Sequence, residues 1–121
     1  MKRDLDLIRE ILLALESQLD GVNPGRVEIR GWDENEVNYH TQLLSDRKFI
    51  ELFDPKSKYH LSVQRITDAG HDYLDVVRDP EIWRKVKIVA EESGVYTVSF
   101  LKKLAEGFIK KKVKQHAGYD L

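Results

Sequence analysis

Apolar positions in this chain recur at two different periods, and the switches between them divide it into elements. Leu5, Ile8, Ile11, Leu12, Leu15 and Leu19 fall at three- and four-residue spacing. That spacing predicts an amphipathic helix over residues 4–19 with the stripe turned to a core. Asp4 and Asp6 stand at its start, where the helix dipole favours carboxylates. Gly21-Val22-Asn23-Pro24-Gly25 then breaks it. In residues 26–30, Val27 and Ile29 alternate with Arg26, Glu28 and Arg30, the pattern of a short strand. The competing reading is a helix capped by Asn23 with Pro24 in its first turn, which leaves only about two turns before Gly31. The strand is the expectation, paired with the hairpin that follows.

A second helix has an explicit start. Asp33 is placed to cap it, Glu36 completes a capping-box pattern, and Trp32 and Val37 stand at the two positions of a hydrophobic staple. Val37, His40, Leu43 and Leu44 make its inward face, leaving Asn35, Asn38, Tyr39 and Gln42 outward. The period then shortens. Residues 49–53 read as a strand, 54–58 as a turn carrying Lys56 and Lys58, and 59–66 as the returning strand. Thr67 caps a further helix with Gly70 in its first turn and Tyr73, Leu74 and Val77 as its stripe. Asp79 and Pro80 are the cap and first residue of the next, whose inner face is Ile82, Trp83, Val86, Val89 and Ala90 up to Gly94. A last helix over roughly residues 98–115 follows Thr97, with Phe100, Leu101, Leu104, Ala105, Phe108 and Ile109 apolar.

Composition narrows the class without choosing a role. At 121 residues, 41% hydrophobic and 34% charged, the chain is expected to be one soluble, helix-rich domain. It has no cysteine, so thiolate metal sites and disulfides are excluded and a cytoplasmic location is expected. The first residues lack the apolar core of a signal peptide, and no apolar run approaches the ~20 residues of a membrane span. The net charge of −1 is not that of a dedicated nucleic-acid binder, so any affinity for DNA must come from a local patch. Residues 97–121 hold six lysines against two carboxylates, whereas the rest of the chain is balanced or acidic.

The order of elements is that of the winged helix. Val37-x-x-His40-x-x-Leu43-Leu44, followed by Lys48-Phe49-Ile50, resembles the recognition helix and first wing strand of bacterial winged-helix repressors. Arg65-Ile66-Thr67-x-x-Gly70 resembles the wing exit. Three stretches are similar, more specifically, to the uncharacterised bacterial and phage family termed domain of unknown function 2513. They are residues 1–9 (Met-Lys-Arg-Asp-Leu-Asp-Leu-Ile-Arg), Glu36-Val37-x-x-His40-x-x-Leu43-Leu44, and the series Ile66-Thr67-x-x-Gly70-His71-x-x-Leu74-Asp75-x-x-Arg78-Asp79-x-x-Ile82-Trp83. Together they run over about two thirds of the chain. One departure is physical: Lys48 stands where the pattern has glycine just past the helix, a position that often needs positive φ. Lysine there costs up to ~1 kcal/mol, or the turn is built differently.

The resemblance implies a mainly α (α+β) fold: a winged helix-turn-helix with a small antiparallel β-sheet and two additional C-terminal helices. Residues 1–78 form the core, and 79–121 an extension packed on the same domain or at a dimer interface. It brings no activity with it. The expected role is binding of double-stranded DNA in the manner of a transcription regulator, with Asn35, Asn38, Tyr39 and Gln42 at base edges and Arg47, Lys48, Lys56 and Lys58 at phosphates. Against this, Asp33, Glu34 and Glu36 crowd the leading end of that helix, which fits a non-catalytic contact with a basic protein partner. Trp83, Phe100, Leu104 and Phe108 are the candidates for a homodimer interface. The residues of 110–114 either contact nucleic acid or complement the dipole of the last helix. No histidine spacing resembles a ligand set and no nucleophile has a base nearby, so no enzyme, metal, cofactor, small-molecule substrate or membrane is expected.

Overall fold

A computed structural model describes residues 1–57 and 61–120. Five helices and one two-stranded antiparallel sheet are found among them, in the order α1 (Leu5–Gln18), α2 (Glu34–Asp46), β1 (Ile50–Leu52), β2 (Val63–Ile66), α3 (Asp68–Val77), α4 (Pro80–Ser93) and α5 (Val98–Ala117). The chain divides into two compact units, Met1–Leu74 and Asp75–Leu121.

In the first unit α1 packs against α2 and β2, and α2 packs on β1. Of the stripe expected on α1, Leu5, Ile8, Ile11, Leu12 and Leu15 are buried, joined by Leu7, whereas Leu19 is half-buried at the C-cap, just past the helix. Asp4 begins the helix by accepting hydrogen bonds from the Asp6 and Leu7 amides at 2.9 and 3.3 Å, as an N-cap does. Beyond α1 the Asp20 carboxylate accepts the Asn23 and Val22 amides at 2.7 and 2.8 Å. These bonds favour the ionised carboxylate and lower its pKa, and together with Gly21 at φ +85° they turn the chain.

The strand expected over residues 26–30 does not form. Backbone pairing there is confined to Gly25, which exchanges hydrogen bonds with Val63 at 2.8 and 3.0 Å. Val27 alone of the alternating pair is buried, and Ile29 is half-exposed. Residues 26–32 instead run as irregular chain to the start of α2. There Asp33 accepts the Asn35 amide at 2.7 Å, and the Trp32 indole N–H donates to Glu10 of α1 at 2.7 Å.

The hairpin is shorter than its sequence pattern. Ile50 pairs with Ile66, Glu51 with Arg65 and Leu52 with Val63, with a bulge at Glu51/Leu52; the Phe53 amide extends the pairing to Ser62 O at 2.9 Å. Lys58, and the Tyr59 and His60 expected to open the second strand, lie outside the described residues. The turn from α2 into β1 passes through Lys48 at φ +63°, the one positive φ outside glycine among the described residues. The departure at this position is therefore accommodated as backbone strain. An L-residue in the left-handed region costs roughly 1–2 kcal/mol, and glycine's extra freedom in the unfolded chain offsets about half of that. Lys48 is exposed, so no packing is lost with its side chain. Lys48→Gly is expected to stabilise the protein by up to about 1 kcal/mol, read as a higher midpoint of denaturant unfolding at unchanged slope.

Helix α3 begins on Thr67, whose hydroxyl accepts the Gly70 amide at 3.1 Å and donates to Lys48 O at 2.6 Å. Its expected stripe is fully buried at Tyr73, Leu74 and Val77. Tyr73 stacks on Phe49 with centroids 5.3 Å apart. Its hydroxyl has no partner among the described residues, and burial raises its pKa because the phenolate would lose its solvation.

In the second unit α4 packs against α5. Asp79 accepts the Glu81 and Ile82 amides at 2.9 and 3.0 Å, Pro80 opens α4, and Gly94 closes it at φ +74°. Thr97 caps α5 by accepting the Phe100 amide at 3.1 Å. Ile82, Trp83, Val86, Ala90, Val98, Leu101 and Ala105 are buried. No helix among the described residues is long and apolar enough to cross a membrane.

Candidate nucleic-acid interface

The outward face of α2 is built by what its inward face must do. Val37, His40, Thr41 and Leu44 are buried, and at 100° per residue the opposite side of the cylinder falls to Asn35, Asn38, Tyr39, Gln42 and Asp46. Asn35, Tyr39 and Gln42 are exposed. Asn38 is half-buried and lines a hollow of about 330 Å³ with Val27, Ile29, Trp32 and Val37, the Arg26–Glu34 pair being among its other lining residues. Tyr39 meets the edge of the His40 ring at a centroid distance of 5.6 Å.

His40 is a structural residue. It is wholly buried, its Nε2 accepts the Asp4 amide at 2.7 Å, and its Nδ1 lies 2.7 Å from Glu36 O. An amide must donate and a carbonyl must accept, so the proton sits on Nδ1 and the ring is neutral. Nε2 joins the cap of α1 to α2, and Nδ1 holds the ring to the backbone of α2 itself. No group of three or more histidine, aspartate or glutamate side chains suited to a metal occurs among the described residues.

The charges around α2 largely cancel. Asp33, Glu34 and Glu36 stand at its start, and Arg26 pairs with Glu34. Arg65 pairs across the hairpin with Glu51 at 2.8 Å. Arg47 lies over the Phe49 ring at 5.7 Å, a cation–π contact. Lys48 and Lys56 are exposed and, among the described residues, carry no carboxylate partner. The structure thus brings Asn35, Asn38, Tyr39 and Gln42 onto one helix face that leads through Arg47 and Lys48 into the hairpin. The proposed interface residues of the second unit are unequal: Trp83 is buried within the chain at 5% exposure, whereas Phe100, Leu104 and Phe108 are half-buried. Sequence reasoning missed the Arg26–Glu34 and Glu51–Arg65 pairs. The second was open to inference from cross-strand register, because opposite charges directly facing one another stabilise a hairpin.

These features define a mainly helical protein in which a capped, amide-bearing helix runs directly into a two-stranded hairpin. Residues 2–96 match the family described as "Hypothetical protein (DUF2513)", and the chain belongs to that family. It is 33% identical over 113 residues to an "Uncharacterized protein" of Haemophilus influenzae, a match covering 90% of this chain and 96% of that protein. No solved structure matches the chain.

Proposed function

We propose that this protein is a non-catalytic, cytoplasmic DNA-binding protein of winged-helix type, with a regulator-like role, that presents α2 to the major groove and the hairpin to flanking backbone. The observation that carries this reading is the outward stripe Asn35, Asn38, Tyr39 and Gln42. Asparagine and glutamine amides match the donor and acceptor of adenine. The chain runs on from this helix to Lys48 and, in the hairpin turn, to Lys56, two exposed ammonium groups with no carboxylate partner among the described residues. The strain held at Lys48 fits the same reading, because a lysine kept at a glycine position gives up stability for a charge.

Binding of a labelled mixed-sequence duplex should weaken steeply with salt, since phosphate contacts release counterions. Lys48→Glu with Lys56→Glu should lower affinity at least about tenfold. Gln42→Ala should instead reduce discrimination between sequences, by roughly 1–3 kcal/mol at the base pair it reads. Absence of binding at low salt removes the proposal.

The acidic start of α2 supports a second reading, a contact with a basic protein partner. The two differ in sign. Glu34→Gln should raise affinity for DNA, because it removes a carboxylate that repels phosphate, and should weaken a basic partner.

A further inference from the structure

The densest set of lysines in this protein lies on α5, which carries six of them. Four of the lysines of this helix fall on two opposite sides of it, with Lys102 and Lys111 between them. Lys112 lies on one side, at the edge of a hollow lined also by Asp79, Ile82, Lys85, Phe108 and Lys111; it is exposed, and its Nζ lies 4.0 Å from the Asp79 carboxylate. Lys103, Lys110 and Lys114 stand on the opposite side, within about 40° of one another around the helix axis. All three are exposed and have no carboxylate partner among the described residues. At 1.5 Å per residue they mark a straight line about 16 Å long. Gly107 lies on this line between Lys103 and Lys110, and nothing stands within 4 Å of where its Cβ would be, so the track is low at its centre.

An ordinary solvated face does not account for this arrangement. The exposed side of α4 mixes both signs, with Glu81, Arg84, Lys85, Glu91 and Glu92. On α5, Lys110 and Lys114 are like charges four residues apart, which destabilises a helix. The helix dipole accounts for Lys114 and His116, which occupy the last turn, but its influence does not reach back to Lys103. Lysines aligned over this length instead complement a row of phosphates, which each DNA strand presents once per about 3.4 Å of duplex axis. A lipid surface is a poorer complement. Membrane-bound helices insert an apolar face beside their lysines, whereas the apolar face of α5 is buried at Val98, Leu101 and Ala105 and half-buried at Phe100, Leu104 and Phe108.

We infer that the outer face of α5 is a second, sequence-independent contact surface for the DNA backbone, formed by Lys103, Lys110 and Lys114. The inference rests on the DNA-binding reading above and adds to it the larger share of the electrostatic affinity.

The test uses the full chain, a labelled mixed-sequence duplex and vesicles containing phosphatidylserine. The triple variant Lys103→Gln, Lys110→Gln, Lys114→Gln should keep its helical circular dichroism. Its plot of log affinity against log salt should be shallower by roughly 0.9 per lysine removed, equally on every duplex sequence. Lys112→Gln, whose charge is engaged with Asp79, should leave the slope near that of the wild type. Duplex binding with an unaltered slope in the triple variant overturns the α5 inference and leaves the α2 reading standing. A reduced slope, with binding indifferent to Gln42, Lys48 and Lys56, overturns the α2 reading and upholds the α5 surface. Failure of the wild type to bind any duplex overturns both, and vesicle binding as strong as duplex binding overturns the choice of DNA as partner.

Discussion

Gly70→Ala is expected to destabilise the Met1–Leu74 unit by about 3 kcal/mol or more, among the largest losses available from a single methyl group in this chain. A Cβ at residue 70 would stand 2.2 Å from the Phe49 carbonyl oxygen, 2.8 Å from Ile66 Cγ2 and 3.0 Å from the Phe49 carbonyl carbon. The nearest of these is backbone, so no rotamer change relieves the clash. Phe49 O also accepts the Thr67 amide at 2.9 Å, which fixes it against the start of α3. Either α3 moves off the hairpin or the hairpin gives up its junction with α2. With total stabilities of about 5–15 kcal/mol, the loss should appear in calorimetry as a fall in Tm on the order of 10 °C. Gly107→Ala is the matched control. Its Cβ meets nothing within 4 Å, so replacing a helix-interior glycine there should raise stability by roughly 0.5–1 kcal/mol. Equal effects at the two glycines would refute the argument from close approach.

Gly70 shows where the sequence stops being legible. Its place in the first turn of a helix after Thr67 follows from the capping pattern, and the helix is there. That the turn presses on the carbonyl of Phe49, 21 positions earlier, follows from no local rule. The same division runs through the fold. Caps at Asp33, Asp79 and Thr97, the break at Gly21 and the stripes of α1, α3 and α4 are local, and all were open to reading. Even the strain at Lys48 was, because a helix entering a strand through a short turn demands positive φ there. The strand expected over residues 26–30 failed for a non-local reason. Alternation of Val27 and Ile29 states which face a strand would bury, but a strand also needs an edge to pair with. β2 offers its free edge to Gly25 at Val63, and the chain then leaves it.

The candidate site divides in the same way. Helical periodicity alone separates the outward residues of α2 from the core. Which charges remain available depends on tertiary pairing: Arg26 with Glu34 across the irregular segment, Arg65 with Glu51 across the hairpin, and Lys112 with Asp79 between α4 and α5. Composition placed the positive charge near the C-terminus. Only the helix register separates Lys112, which lies within reach of the Asp79 carboxylate, from the line of Lys103, Lys110 and Lys114 on the other side of the helix.

Loss of His40 should be the second large effect. His40→Ala is expected to cost about 2–4 kcal/mol, from two sources that a pair of variants can separate. Alanine leaves a cavity in a wholly buried position, and it removes the acceptor of the Asp4 amide. That amide begins the residue whose carboxylate caps α1, so its loss loosens the contact between the cap of α1 and α2, 36 positions apart. Phenylalanine fills much of the volume but accepts nothing. Glutamine reaches as far from the backbone as Nε2 and presents an amide oxygen there. If the hydrogen bond carries most of the effect, His40→Gln should retain more stability than His40→Phe in urea unfolding, with α1 amides better protected in hydrogen exchange. If volume dominates, the order reverses. A variant series in which alanine, phenylalanine and glutamine all unfold at the wild-type midpoint would show that the ring does not hold the two helices together.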